Sequence, residues 1–461
     1  MSTQKTLTPV DGTVYVEREL ASPAALDEAL AAAVEAQRAW RAEPLEARAI
    51  LLRELVDRVE ADADRIADEL TWQMGRPRSQ TPGEVRGFAE RGRTMVDLGL
   101  EQLRDLEVGG KEGFTRYIRR EPLGVTLVLA PWNYPWLTAV NAVIPALMAG
   151  NAVVLKHASQ TPLVAERFVE HAVAAGIPPA VFSYLHMTHD LVADAVKDPR
   201  VGFVAFTGSV EGGHAVQRAA ADRFIATGLE LGGKDPGYVA ADANVAAAAD
   251  GLIDGAFFNS GQSCCGIERI YVHRDVYDEF VERSVALVEA YRLGDPTKPE
   301  TNLGPVVRVS AAKGIRAQVD AAVAAGAKAL IDPAKFPAAA ERGDPYLVPQ
   351  VLVGVTDDME VMREETFGPV VGIAAVADDE EAIRRMNDSR YGLTAAIYTT
   401  DLDRAERVGD RLETGTVFMN RCDYLDPELA WVGVKDSGRG CTLSRLGYEQ
   451  LTRPKSFHLR H

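Results

Sequence analysis

A chain of 461 residues exceeds what one hydrophobic core can serve, since cores stop growing at roughly 250–300 residues, so two or three substructures are expected. With 47% hydrophobic and 25% charged residues the composition is that of a folded globular protein, and 67 acidic against 50 basic residues leave a net charge of −17. That charge repels nucleic acid and anionic membrane surfaces, no apolar run approaches the roughly 18 residues of a membrane span, and the start MSTQKTLTPVDG lacks the pattern of a secretory signal, so a cytoplasmic protein is expected.

Along the chain, Ser22 and Pro23 open a helical apolar pattern that runs to Gly75 and Pro77 and reads as a pair of amphipathic helices. Past the glycines at 109, 110 and 113 the stretch FTRYIRRE alternates and is heavily charged, which suits an edge strand or a protruding ribbon. Strand-like GVTLVLA, NAVVLK and GFVAFTGS then alternate with helical WLTAVNAVIPALMAG, TPLVAERFVEHAVAAG and EGGHAVQRAAA. This order predicts βαβ units and a parallel sheet buried on both faces, with ligands at the carboxyl ends of its strands. A second series follows: helical VAAAADGLIDGAFFNSG, strand ERIYVH, helical VYDEFVERSVALVEAY, and strands near YLVPQVLVGV, VVGIAAV, AAIYTT and TVFMN. The last segment, YEQLTRPKSFHLRH, is placed to add an edge strand.

The four cysteines, at 264, 265, 422 and 441, form no CxxC pair and no spaced cluster with histidine, so neither a disulfide framework nor a metal site is expected. His186 and His189 make a lone HxxH, a pattern more common among surface residues than in metal sites. No GxGxxG is present; FTGSVEGG offers only a strand-to-helix turn in which Gly208 and Gly213 flank a helix N-terminus able to meet a phosphate. Spacing alone leaves Cys264 and Cys265 undecided between a nucleophile and inert core, because the only histidine within sequence reach, His273, lies at the far end of a strand.

Taken together, PWNYP, GNAVVLKHASQTP, FTGSVEGG, LELGGKDP, FFNSGQSCCG and EETFGPV, in that order and at compatible distances, resemble the aldehyde dehydrogenase superfamily over nearly the whole chain. The resemblance implies an α/β fold with a Rossmann-type cofactor domain (1–110 and 123–231), a second α/β catalytic domain (232–430), and a small β oligomerisation arm (111–122 and 446–461). It implies oxidation of a small-molecule aldehyde to the acid with NADP or NAD. The cysteine of GQxC, Cys264, is then the nucleophile, Glu230 of LELGG the general base, and Asn133 of PWNYP an oxyanion donor beside the backbone N–H of Cys264. For the cofactor it implies Lys156 at the adenosine ribose, Gly208, Ser209 and Gly213 near the pyrophosphate, Glu365 at the nicotinamide ribose, Phe367 near the ring, and Trp132 in the same cleft.

The chain departs from the family pattern in three places. Ser159 stands where many NAD-preferring relatives carry a glutamate that would repel a 2′-phosphate, which tilts the expectation to NADP. Ala142 replaces a lysine, and AWVGVK (430–435) replaces PFGG. The KHAS stretch is similar to the semialdehyde-oxidising branches, with Arg421, Arg439 and Arg269 available to clamp a remote carboxylate, whereas Trp431 and Tyr424 suit an aromatic or aliphatic aldehyde. A homodimer or homotetramer is expected from the arms. The rivals are a CoA-acylating dehydrogenase, which has no need of Glu230, and a catalytically silent cofactor-binding relative.

Overall fold

The computed structural model describes residues 2–422 and 424–461. Its first sheet has six strands, with Val125–Ala130, Ala152–His157, Phe182–Tyr184, Val201–Thr207 and Ala226–Glu230 parallel and the short Gly438–Arg439 antiparallel on the edge beside Ala226–Glu230. All six residues of Val125–Ala130 are buried, as a strand covered on both faces requires. Helices Pro135–Met148, Pro162–Ala174, His189–Lys197 and Val210–Ala220 connect these parallel strands, so Lys156, Thr207 and Glu230 lie toward the carboxyl end of the sheet.

The second sheet has seven strands, centred on Val370–Val376, Ile267–His273, Asp235–Val239 and Thr394–Tyr398, which run parallel. Each sheet packs on its own buried apolar clusters. In the first, Phe88, Trp136, Phe168 and Phe182 pack edge to face at 5.0–5.2 Å between ring centres, which fixes helices Thr81–Gln102, Pro135–Met148 and Pro162–Ala174 against one another.

The helical N-terminal region contains three helices where two are predicted: Pro23–Trp40, Leu45–Ala61 and Ala63–Met74. The chain breaks at Asp62, whose ψ of 17° leaves the helical range without disturbing the apolar spacing on either side, so periodicity could not reveal it. The hairpin Thr3–Leu7 with Val14–Glu19 ahead of these helices has no predicted counterpart.

FTRYIRRE does form a strand, Phe114–Pro122, but it lies in the middle of a three-stranded ribbon rather than at an edge. Thr452–Arg460 pairs with it over nine residues on one side and Leu106–Glu107 on the other. Aromatic stacking of Tyr117 on Phe457 and Phe114 on His458 supplies apolar area that the charge pattern conceals. No helix of the described residues is long and apolar enough to cross a membrane.

Where the ribbon joins the first sheet, Asn151 is fully buried. Its Oδ1 accepts from Leu123 N (2.7 Å) and Gly124 N (3.0 Å), and its Nδ2 donates to Ala146 O (3.2 Å) and Leu451 O (3.0 Å). One amide thus ties the sheet, the helix before it and the start of the last strand. Asn151→Ala strands two backbone N–H groups at a cost of roughly 2–4 kcal/mol, so its thermal midpoint should fall by several degrees in a calorimetric scan.

Candidate active site

Helix Val245–Phe257 ends in a turn where Asn259 (φ 53°), Ser260 (φ 56°) and Gly261 (φ 71°) are all left-handed. Two non-glycine residues there are strained, and side chains hold them. Asn259 Nδ2 donates to Gln262 O (3.1 Å) and Asn133 O (3.2 Å), Gln262 Oε1 accepts from Val307 N (2.7 Å), and Ser260 Oγ donates to Gly304 O (2.9 Å). Gly261 is required, because a Cβ would sit 2.1 Å from Gly368 O. The reversed chain then delivers Cys264 and Cys265, half-buried, just before strand Ile267–His273.

Both thiols line a cavity of about 280 Å³ whose wall also carries Ser263, Glu230, Thr207 and Arg91, with Tyr134, Leu137, Phe258 and Trp431 as apolar neighbours. Two sequence-predicted residues, Cys264 and Glu230, are therefore brought together from different sheets. The third, Asn133, is buried and contacts the cysteine loop at Gln262, whose carbonyl accepts from its Nδ2 at 3.3 Å.

Glu230 ends its strand with both oxygens engaged: Thr442 Oγ1 donates to Oε1 (2.5 Å) and Thr207 Oγ1 to Oε2 (2.9 Å). Burial raises its pKa above the ordinary carboxylate value, and the two hydroxyls and the positive charge of Arg91 only moderate the rise. The two thiols interact directly. A hydrogen bond from Cys264, Ser263 Oγ at 3.4 Å from the sulfur, and the charge of Arg91 bring Cys265 down to about 7, and the same contact holds the Cys264 thiol up. The pair thus shares one readily formed negative charge.

The cavity wall also includes a buried ion pair. Arg76, 2% exposed, donates to Glu84 and to Asn133 O, reaches Asn259 Oδ1 at 3.0 Å, and places its guanidinium 4.3 Å from the centre of the Tyr134 ring. Glu84 Oε1 in turn accepts from Trp136 N at 2.7 Å, the first turn of helix Pro135–Met148.

Toward the first sheet, Lys156 makes no hydrogen bond or ion pair among the described residues, and burial lowers its pKa. Ser159 is exposed, its carbonyl accepting from Thr6 Oγ1 at 2.7 Å. Ser209 caps helix Val210–Ala220 through Gly212 N (3.2 Å). Gly208 and Gly212 close on the Phe206 ring, where a Cβ would lie 2.6 and 2.5 Å from Cζ, and Gly213 is buried against Leu231. A cradle of bare backbone at a helix N-terminus, at the same end of the sheet as a lysine unpaired among the described residues, fits the phosphates and ribose of a dinucleotide.

Glu365 Oε1 accepts from Gly233 N at 2.9 Å, and burial beside Glu268 raises it to about 8. Phe367 (φ 52°) meets Trp132 edge to face at 5.6 Å. The turn holding both Glu365 and Phe367 is anchored by Glu268, whose carboxylate accepts from Thr366 N and Phe367 N, each at 2.8 Å, and pairs with buried Lys234 at 2.5 Å.

Several residues were not legible as site residues. Glu268 lies inside a strand, Arg76 reads as part of a helix break, and Arg91 as one polar position on an amphipathic helix; helical spacing to Glu84 was the one signal available for it. Arg269, by contrast, is not available to a substrate: its guanidinium is spent on Lys234 O (2.9 Å), Arg385 O (3.3 Å) and Met386 O (3.1 Å). Arg421 lies 4.7 Å from the centre of the Tyr424 ring, and both line an adjoining cavity of about 160 Å³. His186 is not a surface residue but buried, with Nε2 3.2 Å from Glu166. No group of three or more metal-ligating side chains occurs among the described residues.

Known proteins match this chain over nearly its full length. The chain is 35% identical over 460 residues to 3,6-anhydro-α-L-galactose dehydrogenase of Streptomyces coelicolor, covering 99% of this chain and 92% of that one. It is 36% identical over 463 residues to an NADP(+) succinate-semialdehyde dehydrogenase of Mycobacterium avium, covering 98% and 95%. Among solved structures, an NADP-dependent glyceraldehyde-3-phosphate dehydrogenase of Bacillus halodurans complexed with NADP superposes with a TM-score of 0.93 at 32% identity, covering 100% and 96%. The sequence pattern of the aldehyde dehydrogenase family matches residues 1–457, and the chain belongs to that family.

Proposed function

We propose that the chain oxidises a small aldehyde to its carboxylic acid with NADP, NAD being usable, through a thioester on Cys264. The observation that carries this reading is the convergence of Cys264 and Glu230 on one cavity, with Asn133 held against the cysteine loop. The thiol pair supplies the nucleophile: Cys264, as the thiolate member of the pair, bonds through Sγ to the aldehyde carbon. Negative charge then grows on the former carbonyl oxygen, where Asn133 Nδ2 and the backbone N–H of Cys264 donate. Bound NADP supplies the hydride acceptor that turns this adduct into a thioester. Glu230 takes a proton from water as the water attacks the thioester carbon, and the acid leaves with Cys264 regenerated.

For the cofactor, Lys156, Ser159, Gly208, Ser209 and Gly213 would hold the adenosine ribose and phosphates, and Glu365, Phe367 and Trp132 the nicotinamide end. The exposed hydroxyl of Ser159 and the free ammonium of Lys156 favour NADP, in keeping with the NADP(+) specificity of the Mycobacterium avium relative. The six-stranded sheet would serve as the cofactor domain and the seven-stranded sheet as the catalytic one. The ribbon Phe114–Pro122 with Thr452–Arg460 would be the oligomerisation arm of a dimer or tetramer. A cytoplasmic location fits the composition.

Nicotinamide absorbance followed with NADP and a panel of aldehydes tests the reading. Turnover only in the presence of CoA, or cofactor binding without turnover, would replace it with one of the two rivals. In the same assay Cys264→Ala should lower kcat by at least about a thousandfold, while Cys265→Ala keeps most of it with the pH dependence of acylation moved upward. The opposite result assigns the nucleophile to Cys265, which lines the same cavity.

Glu230 works as its carboxylate, and burial raises its pKa, so hydrolysis should weaken as pH falls through a value above the usual 4.3 or so. Glu230→Gln should release one equivalent of reduced cofactor in a burst and then stall; linear turnover without a burst removes Glu230 from this step.

A further inference from the structure

We propose that Arg91 receives an anionic tail on the substrate and makes this chain a dehydrogenase for small aldehydes bearing a carboxylate; the proposal rests on the aldehyde-oxidising reading above. Arg91 lies on helix Thr81–Gln102, on the inward face shared by Glu84, Phe88 and Met95, and is 8% exposed. It lines the same cavity as Cys264, Cys265 and Glu230.

Its hydrogen bonds go to neutral acceptors: Nη1 donates to Leu137 O at 2.9 Å and Asn141 Oδ1 at 3.3 Å. No carboxylate pairs with it at hydrogen-bond distance among the described residues, and Glu230, Cys265, Glu84 and Cys264 counter its charge only from further away. Arg76, on the same cavity wall, shows the contrast, since its guanidinium is closed off by Glu84. A guanidinium cannot shed its proton, so a buried and unpaired one keeps its desolvation cost until an anion arrives.

The cavity itself sets the rest of the substrate. About 280 Å³ admits only a small molecule, and Tyr134, Leu137 and Trp431 offer apolar wall between a carbonyl at Cys264 and a tail at Arg91. One planar guanidinium matches the two oxygens of a carboxylate. A phosphate dianion would bring a second negative charge into a cavity that Glu230 also lines, with no second unpaired cation on its wall among the described residues. The product would accordingly be a dicarboxylate.

A matched series on the wild-type enzyme tests the idea: an aldehyde ending in a carboxylate, its methyl ester, and an aldehyde of similar length ending in phosphate. The carboxylate should exceed the ester in kcat/KM by about 100-fold. In Arg91→Gln that ratio should collapse toward unity, and Arg91→Lys should restore part of it. A wild-type ratio near one overturns the proposal. So does a preference for the phosphate, or a fall in Arg91→Gln that is equal for carboxylate and ester, which would make Arg91 a support for the thiolate pair instead. Should the wild type oxidise no aldehyde at all, the functional reading fails. Titration calorimetry with succinate then decides the binding claim alone: binding to the wild type and its loss in Arg91→Gln sustains the claim, and no difference between the two removes it.

Discussion

The arrangement depends on a charge that cannot be left alone. Arg76 is buried, and its guanidinium is spent on Glu84, Asn259 and the carbonyl of Asn133. Such a pair contributes little net stability, yet removing one partner leaves an uncompensated buried charge worth several kcal/mol. The cost of disorder is what gives it positional value. Helix Thr81–Gln102, the turn before helix Pro135–Met148 and the left-handed segment at Asn259 come from three distant parts of the sequence, and this one ion pair fixes all three.

Glu230 is positioned by a different device. Its strand Ala226–Glu230 accepts Gly438–Arg439 as an antiparallel neighbour, and this pairing carries Thr442 to the carboxylate. The approach is possible only because Gly438 has φ 130° and no side chain; a Cβ there would lie 1.9 Å from Leu229 O. Thr207, ending the adjacent strand, supplies the second hydroxyl. Two neutral donors orient the carboxylate without neutralising it, which leaves burial free to raise its basicity. A lysine or arginine in either place would have done the reverse.

The parallel strands were legible in sequence because burial on both faces writes itself as continuous apolar runs, as in GVTLVLA and NAVVLK. Ala226–Glu230 and Asp235–Val239 were not, because Gly228, Pro236 and Gly237 interrupt the apolar signal. Gly228 faces the Phe203 ring and Gln450, and Gly237 faces Leu252, so close contacts rather than propensity select those residues. The site divides the same way. Cys264, Glu230 and Asn133, the residues of the proposed mechanism, stand out through ordered motifs, since each sits in a glycine- or proline-marked turn. Arg76, Arg91 and Glu268 act through burial, and burial of a single charged residue leaves no local mark: its partners are 8 to 183 residues away along the chain.

In the proposed mechanism, the contact between Asn133 and Gln262 would let a resting hydrogen bond give way to a catalytic one. At 3.3 Å the bond from Asn133 Nδ2 to Gln262 O is near the long limit, and the same carbonyl accepts from Asn259 Nδ2 at 3.1 Å. If the Asn133 amide turns to a growing oxyanion, Gln262 O keeps one donor and no buried acceptor is orphaned, so the switch avoids the usual penalty of about 1–3 kcal/mol. The backbone carbonyl of Asn133 meanwhile stays fastened to Arg76 and Asn259. As the proposed oxyanion donor, the side chain would therefore change partners while its main chain keeps these two anchors, the condition such a donor must meet to favour the transition state over the ground state.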